Sequence, residues 1–352
     1  MPLPLAGIFV LDFTTLLPGP LATLMLAEVG AEVVKIEPPE GEAMRGYPPF
    51  AGGESLIFAM LNRGKASMRV DLKSALDRAR LDPLIARADV LVEQFRPGVM
   101  TRLGLGYEAV KQRNPRVVYC SISGYGQTGP RAQEAGHDLN YIGSTGLLAQ
   151  QAESDPPVVP PGLIADIAGG SFPAVMNILL ALRQRDETGA GCHLDIAMSD
   201  AMFTFAWHAL ATGAATGRYP AGGEGLLAGG SARYQLYRTR DGKLVACAAL
   251  EPKFWKAFCD AIGLQDALTD DFADPDATTA AVAALIALRT ADEWRPVFAA
   301  ADCCATIVCS LEEALQDPQF RERGLFVRTV QTEAGDKPAL PIPIAPQFRS
   351  QT

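Results

Sequence analysis

Histidine is scarce in this chain: His137, His193 and His208 are the only three among 352 residues. Any chemistry that needs an imidazole therefore has a short list of candidates. Seven cysteines (Cys120, Cys192, Cys247, Cys259, Cys303, Cys304 and Cys309) form no C-x-x-C pair, so the usual spacing of a zinc site or redox dithiol is missing and no metal site is expected. The group Cys303, Cys304 and Cys309 has no histidine nearby in sequence and is expected to consist of core or half-buried thiols. No H-E-x-x-H, Walker, EF-hand or G-x-S-x-G pattern occurs, which removes sequence support for metalloprotease, phosphoryl-transfer and simple serine-hydrolase chemistry.

No run reaches the roughly 18 continuous apolar residues of a membrane span. The opening MPLPLAGIFVLDF has no basic segment leading into an apolar core and a cleavage site, so a soluble, cytoplasmic protein is expected. Positive charge is also in deficit, with 31 Lys and Arg against 40 Asp and Glu, a net of −9. That balance argues against nucleic acid or an anionic membrane as partner, while leaving room for a local basic cluster that binds a small anion.

What is present describes an ordinary globular chain, 48% hydrophobic and 20% charged, of a length that favours two domains or one large one. The first hundred residues alternate apolar runs with helical patterns. Gly7–Phe13, Ala31–Glu37, Ser67–Asp71, Asp89–Phe95 and Arg116–Ser123 read as strands. Ala22–Gly30, Ser74–Arg87 and Gly106–Arg113 read as helices, giving βαβ units and a mostly parallel sheet. After the proline-rich loop Asp155–Gly162, Asp166–Gly189 reads as one long helix with Asp at its start and Gly as its stop. From about Gly222 the pattern changes to strands at Ala232–Thr239 and Lys243–Leu250 and helices at Pro252–Ile262, Thr290–Ala301 and Leu311–Arg323. This is a candidate second domain, and Ala339–Pro346 holds too many prolines for a central strand.

Gly124-Tyr-Gly126-Gln-Thr-Gly129 satisfies the dinucleotide pattern G-x-G-x-x-G. Pro130 follows, however, and RAQEAGHD lacks helical periodicity, so the helix N-terminus that would hold a pyrophosphate is missing. A tight glycine turn lining another pocket is the better reading. Glu37 stands where a ribose-binding acid would, yet the loop Thr14–Pro20 has no glycine fingerprint. Three residues stand out from ordinary packing. His137 lies between Gly136 and Asp138 in a polar loop, and reads either as a loop hydrogen-bonder or as an acid/base. Asp166 is set among apolar residues, and reads either as an N-cap or as a functional carboxylate. Glu251 precedes Pro252 and reads as a helix-start acid or as a partner for another group. Lys35, Arg63, Lys65, Lys73, Arg96 and Arg102 fall at loop ends near strands; singly each reads as a solvated charge, together as a possible anion site.

Taken in order, LAGIFVLDFTTLLPGP, NRGKASMRVDLK, ADVLVEQFRPGVMTRLGLGYEAV, VVYCSISGYGQTGP, GHDLNYIGSTGLL, PPGLIADIAGGS and ALEPKFW resemble the class III CoA-transferase superfamily, the CaiB/BaiF family. The subgroup they resemble most is that of the α-methylacyl-CoA racemases. The resemblance implies an α/β fold with a Rossmann-like large domain (1–200 and 325–352), a linker (201–221), a smaller α+β domain (222–324) and an interlocked homodimer. It implies an acyl-CoA thioester as substrate and no prosthetic group. By motif, Asp166 matches the aspartate shared by transferases and racemases, His137 the racemases' second base, and Glu251 the acid that orients that histidine. Val70, Asp71, Leu72, Lys73, Gln94, Phe95, Arg96 and Arg102 match CoA-contacting positions. The segments Gly136–Tyr141, with Asp138, and Ala165–Gly170, with Gly169, would line the thioester end, and backbone N–H groups near Asp166 would serve the enolate oxygen. Within the resemblance, Gly41–Lys65 is transferase-like, and Pro38 replaces an arginine that helps bind CoA in some racemases. Racemisation of 2-methylacyl-CoA is the expected activity, with acyl-CoA:carboxylate CoA transfer through an Asp166 anhydride as the alternative and noncatalytic CoA-ester binding as a second.

Overall fold

The computed structural model describes residues 2–151 and 157–350, so Asp155 and Pro156 of the proline-rich loop lie outside the described residues. The chain divides into two compact units.

The first comprises Met1–Thr145, Pro160–Thr204 and Arg321–Thr352. Its elements are β1 (Phe9–Phe13), α1 (Pro18–Glu28), β2 (Glu32–Glu37), α2 (Leu56–Asn62), β3 (Ala66–Arg69), α3 (Ala75–Ala79), α4 (Asp82–Arg87), β4 (Val90–Glu93), α5 (Tyr107–Arg113), β5 (Val118–Ser123), α6 (Asp138–Ser144), α7 (Phe172–Thr188) and β6 (Cys192–Ala197). The strands form one six-stranded sheet in the order β3-β2-β1-β4-β5-β6, every pair parallel. The chain starts mid-sheet at β1, winds to one edge and returns through β4 to the other. Strand order reverses between β1 and β4, where open α/β sheets leave a crevice beyond the carboxyl ends. Strands β1, β4 and β5 are buried along their whole length, which explains continuous apolar runs in place of alternation.

The differences from the expected elements have physical causes. Helix α1 starts at Pro18 instead of Ala22 because proline is tolerated in a first turn. It is buried on nearly every face, so no amphipathic stripe marks its start. The expected Ser74–Arg87 helix is two, with Pro83 at the start of the second; Leu311–Arg323 is likewise split at Pro318. Strand β6 was not anticipated.

Helix α7 and the turn before it span Ala165–Thr188, a run long and apolar enough on composition to cross a membrane. Here it packs on α1, β5 and β6, and its Arg185 is buried and paired with Asp89 at 2.8 Å.

The second unit comprises Gly146–Val159 and Phe205–Phe320. It holds α8 (Trp207–Thr216), β7 (Tyr234–Arg238), β8 (Leu244–Ala248), α9 (Pro252–Ile262), α10 (Pro275–Ile286), α11 (Ala291–Ala301) and β9 (Ala305–Ile307). The antiparallel sheet β9-β8-β7 shares a core with Trp255, Phe258, Trp294 and Phe298. The stretch 201–221 is therefore not a simple linker, since it contains α8. Gly146–Val159 joins this unit because Gln150 accepts a backbone hydrogen bond from Gly223 at 3.0 Å. Cys303 is buried, but Cys304 and Cys309 are exposed, unlike the half-buried packing expected of them.

Beneath the first unit's crevice lies a buried charge network. The Lys35 ammonium, 1% exposed, is 2.7 Å from Glu42 and donates to the Thr14 carbonyl at 2.7 Å. Asp12 accepts from Thr14 and Thr23 and pairs with Lys65 at 3.2 Å. Burial pushes the Asp12 carboxyl up, but Lys65 and Lys35 with the two hydroxyls outweigh it and hold it at about 2. Lys35 and Lys65 are thus internal partners, not solvated charges.

Replacing Lys35 by Met leaves Glu42 buried and unpaired; we expect a loss of about 3–5 kcal/mol in urea unfolding, and a loss below about 1 kcal/mol would contradict the network's role. Because Asp12 is depressed relative to its unfolded value, its contribution is present above about pH 4 and is lost as pH falls through about 2. Acid titration of the Asp12→Asn variant should show a shallower fall in stability over that window.

Candidate active site

A cavity of about 390 Å3 opens at the carboxyl ends of the sheet and is lined wholly by the first unit. The end of β5 (Ile122–Gly124), Met198 and four further segments build it. The turn after β1 contributes Leu16 and Pro18, and the arm after β4 contributes Gln94–Pro97. The loop into α6 brings Gly136, His137 and Tyr141, and the turn before α7 brings Asp166.

The β1 turn is held in an unusual conformation: Leu16 has φ +61°, a left-handed backbone that costs a non-glycine residue about 1–2 kcal/mol. Its N–H donates to buried Glu42 at 2.6 Å, so the charge network offsets the strain. Gly19 follows without a side chain because a Cβ there would lie 2.2 Å from that of Thr14. Its N–H donates to the Gln94 side chain at 3.1 Å, tying α1 to the opposing arm.

His137 sits immediately before α6, its N–H donating to Asn140 Oδ1 at 3.0 Å. Tyr141 donates its hydroxyl to the Gly136 carbonyl at 2.5 Å. Its ring fits between Gly124 and Gly136, where added Cβ atoms would come within 2.4 and 2.7 Å of it. Gly124 of SGYGQTG thus makes room for an aromatic ring. The Gln127 N–H of that turn donates to the Asp195 carboxylate at 3.0 Å, so an acid occupies the amide that a phosphate would need.

Asp166 lies inside a π-helical turn, Ala165–Ser171, that runs into α7. It is not the N-cap of a single long helix. Such wide turns are rare and cluster at functional sites. This one depends on its small residues: a Cβ on Gly169 would be 2.4 Å from the Met198 carbonyl and one on Gly170 3.0 Å from Pro18. Ser171, fully buried, donates to the Pro18 carbonyl at 2.7 Å, joining Asp166's turn to the strained β1 loop. Buried Asp138 accepts the Asp166 N–H at 3.0 Å. Burial, then the Asp138 charge, raises the Asp166 carboxyl and His137 draws it down, the balance standing at about 6.

The sequence-derived set is only partly assembled. Gln94, Phe95, Arg96, Gly136, His137, Tyr141 and Asp166 line the cavity, while Asp138, Ala165, Gly169 and Gly170 support it from behind. Val70 is buried at the end of β3. Asp71 accepts the Lys73 N–H at 2.9 Å, and the Leu72 carbonyl accepts from Arg78 at 2.8 Å. These residues and Arg102 lie outside the cavity. Lys73, Arg96 and Arg102 are exposed and make no ion pair among the described residues. Arg63 instead pairs with Glu28 at 2.8 Å. Glu251 belongs to the second unit, exposed at the start of α9, its carbonyl accepting from Phe254 and Trp255 at 3.0 and 2.9 Å. The N–H groups expected to serve an enolate oxygen beside Asp166 are engaged: Asp166 donates to Asp138, and Ile167 to the Leu163 carbonyl at 3.1 Å. Sequence reasoning missed Leu16, Ser123 and Met198, whose apolar or small-residue settings carry no chemical signal.

A doubly wound sheet with a carboxylate and an imidazole at its carboxyl-end crevice defines an α/β enzyme-like ligand site. The chain belongs to CoA-transferase family III, whose family model matches residues 5–352. It is 36% identical over 337 residues to the acetyl-CoA:oxalate CoA-transferase of Acetobacter aceti, covering 93% of this chain and 86% of the relative. It is 34% identical over 355 residues to the alpha-methylacyl-CoA racemase of Homo sapiens, covering 98% and 89%. Among solved structures, a CaiB/BaiF family protein from Brucella suis matches with a TM-score of 0.81 at 31% identity, covering 98% of this chain and 93% of that one. The relatives thus carry the names of both a racemase and CoA-transferases.

The raised Asp166 carboxyl gives a direct test. Its titration by carbon NMR should have a midpoint near about 6 and move lower in Asp138→Asn, which removes a neighbouring negative charge. An unchanged midpoint would remove Asp138 as a cause.

Proposed function

We propose that this protein racemises 2-methylacyl-CoA thioesters, with His137 and Asp166 as the two acid/base groups. The observation that carries this reading is their shared cavity, with Asp166 raised to about 6. A thioester carbonyl acidifies its α-carbon. Inverting that centre requires one group to remove the proton from one face and another to return a proton to the opposite face. A carboxyl raised toward neutrality can do either, and imidazole is the side chain best suited to switch between the two roles. In this reading the N–H groups of the first turn of α6, Asp138 and Leu139, would serve the enolate oxygen. Arg96, Arg102 and Lys73 are the exposed cations available to the CoA phosphates. In this reading the chain acts in the cytoplasm.

A second reading is supported by the Acetobacter aceti relative and the transferase-like stretch Gly41–Lys65. In CoA transfer, Asp166 would attack the thioester carbonyl and expel CoA thiolate, leaving an acyl-aspartyl anhydride. The CoA thiolate would then attack the aspartyl carbonyl and release the donor carboxylate. The acceptor carboxylate would displace CoA from the resulting aspartyl thioester, and the thiolate would take the acceptor acyl group from that second anhydride, freeing Asp166. That route has no step for His137. A homodimer is also proposed: Phe172, Met176, Leu179 and Leu180 form an exposed apolar stripe along α7 at helical spacing.

Incubation with a single enantiomer of a 2-methylacyl-CoA in deuterated water, with and without an acceptor acid, separates the readings. We expect α-deuteration with loss of stereochemistry; transfer of CoA to the acceptor without exchange would overturn the racemase reading. His137→Ala should lower racemisation by at least about 100-fold, and a fully active variant would reject the assignment. Asp166→Ala should abolish either activity.

A further inference from the structure

A second titratable cluster lies directly under the substrate arm and takes no part in the chemistry above. Glu93 ends β4 with 4% of its surface exposed. Its carboxyl accepts the Phe95 N–H at 2.8 Å, and its register partner across the parallel pair is Ser121 of β5. Ser121, 1% exposed, lies with its Oγ 2.9 Å from Nε2 of His193 on β6. The imidazole is exposed and held by rings, stacked on Tyr107 at 5.1 Å and edge-on to Tyr119 at 5.3 Å. A carboxyl, a hydroxyl and an imidazole therefore connect the surface to the backbone of Gln94–Pro97, the arm that lines the cavity.

We propose that Glu93, Ser121 and His193 form a proton relay that sets this arm, making Glu93 a positioning residue for the bound acyl-CoA. The proposal rests on the acyl-CoA reading of the cavity. The relay has two states that differ by one proton. In the first, Glu93 is a carboxylate accepting from both Phe95 N–H and Ser121 O–H, while His193 donates its Nε2–H to Ser121. A proton arriving at Nδ1 of His193 lets Nε2–H pass to Ser121 and the hydroxyl proton pass to Glu93. In the second state Glu93 is a neutral acid donating to Ser121, which donates to Nε2 of a neutral His193 protonated at Nδ1. Each hydrogen bond of the relay reverses and no charge remains buried.

The surroundings favour titration near neutrality. Burial, then the charge of Asp195, raises the Glu93 carboxyl to about 7 against the opposing hydrogen bonds from Ser121 and Phe95. The other titratable groups here include Tyr119 and Cys120 on β5, both raised by burial and by Glu93, Cys192 on β6, raised by burial, and Tyr107, Glu108 and Lys111 on α5. Burial lowers His193, while Asp195 and Glu108 raise it. The charged form of Glu93 grips Phe95 N–H more strongly than the neutral form, so the arm is best set above neutrality.

The test is calorimetric binding of acetyl-CoA to the whole chain between about pH 6 and pH 8.5, with infrared titration of the free protein. If only the ionised form sets the arm, the Kd of the wild type should rise about 10-fold toward pH 6. Glu93→Gln should lose this component. Ser121→Ala should keep the carboxyl titration but move its midpoint up, because one hydrogen bond to the anion is gone. Infrared should show a buried carboxyl protonating near neutrality in wild type and absent from Glu93→Gln, a readout that needs no ligand. In turnover, the Glu93→Gln effect should fall on KM more than on kcat. Failure of the wild type to bind acetyl-CoA at any pH would count against the acyl-CoA reading. Binding whose pH dependence is identical in wild type and Glu93→Gln would overturn the relay.

Discussion

The crevice depends on four charged groups with almost no access to water. Asp12, Lys35, Glu42 and Lys65 are costly to bury singly, and their pairing recovers much of that cost only because hydroxyls and a carbonyl complete their coordination. What the cluster secures is a backbone shape. Glu42 holds Leu16 N–H and Lys35 holds the Thr14 carbonyl, so the turn after β1 keeps its left-handed residue. From that turn the constraint passes outward: Gly19 binds Gln94, and the Pro18 carbonyl binds Ser171. The carboxylate of Asp166 is thus positioned through a short series of hydrogen bonds that begins at the ion pairs of Asp12 on β1 and Lys35 on β2.

The setting of Asp166 is compatible with either of the two reactions proposed for this chain. A partly buried carboxyl beside another acid holds its proton more readily than a surface carboxyl, which suits return of a proton to carbon. The same residue, ionised, is a nucleophile toward a thioester carbonyl. The choice between these reactions lies in what faces Asp166 across the ligand, and in this chain His137 shares the cavity.

Much of the fold was legible because parallel strands buried on both faces write continuous apolar runs: β1, β2, β4 and β5 fall within the segments read from sequence. Helix α9 was placed at its observed limits because Pro252 opens it and Gly263 closes it. Elements without such punctuation escaped. Strand β6 alternates polar residues through Cys-His-Leu-Asp, and α10 is rich in alanine with no strong apolar face. At the site, His137 and Asp166 were visible because a histidine in a glycine loop and an acid among apolar residues contradict their settings. The supports were not visible: Leu16 is an unremarkable leucine until its φ is known, and Lys35 and Lys65 read as surface charges until the sheet buries them. His193 carried no signal in the sequence because Ser121 and Glu93 are distant along the chain and come together with it only across adjacent strands.

The central claim is that His137 and Asp166 address opposite faces of one carbon. The most direct measurement follows α-proton exchange in deuterated water for each enantiomer separately, in His137→Ala and in Asp166→Asn. Each variant should retain exchange for only one enantiomer, and the two should retain opposite ones, while neither interconverts them. Loss of exchange for both enantiomers in Asp166→Asn with no effect of His137→Ala would contradict the two-face arrangement.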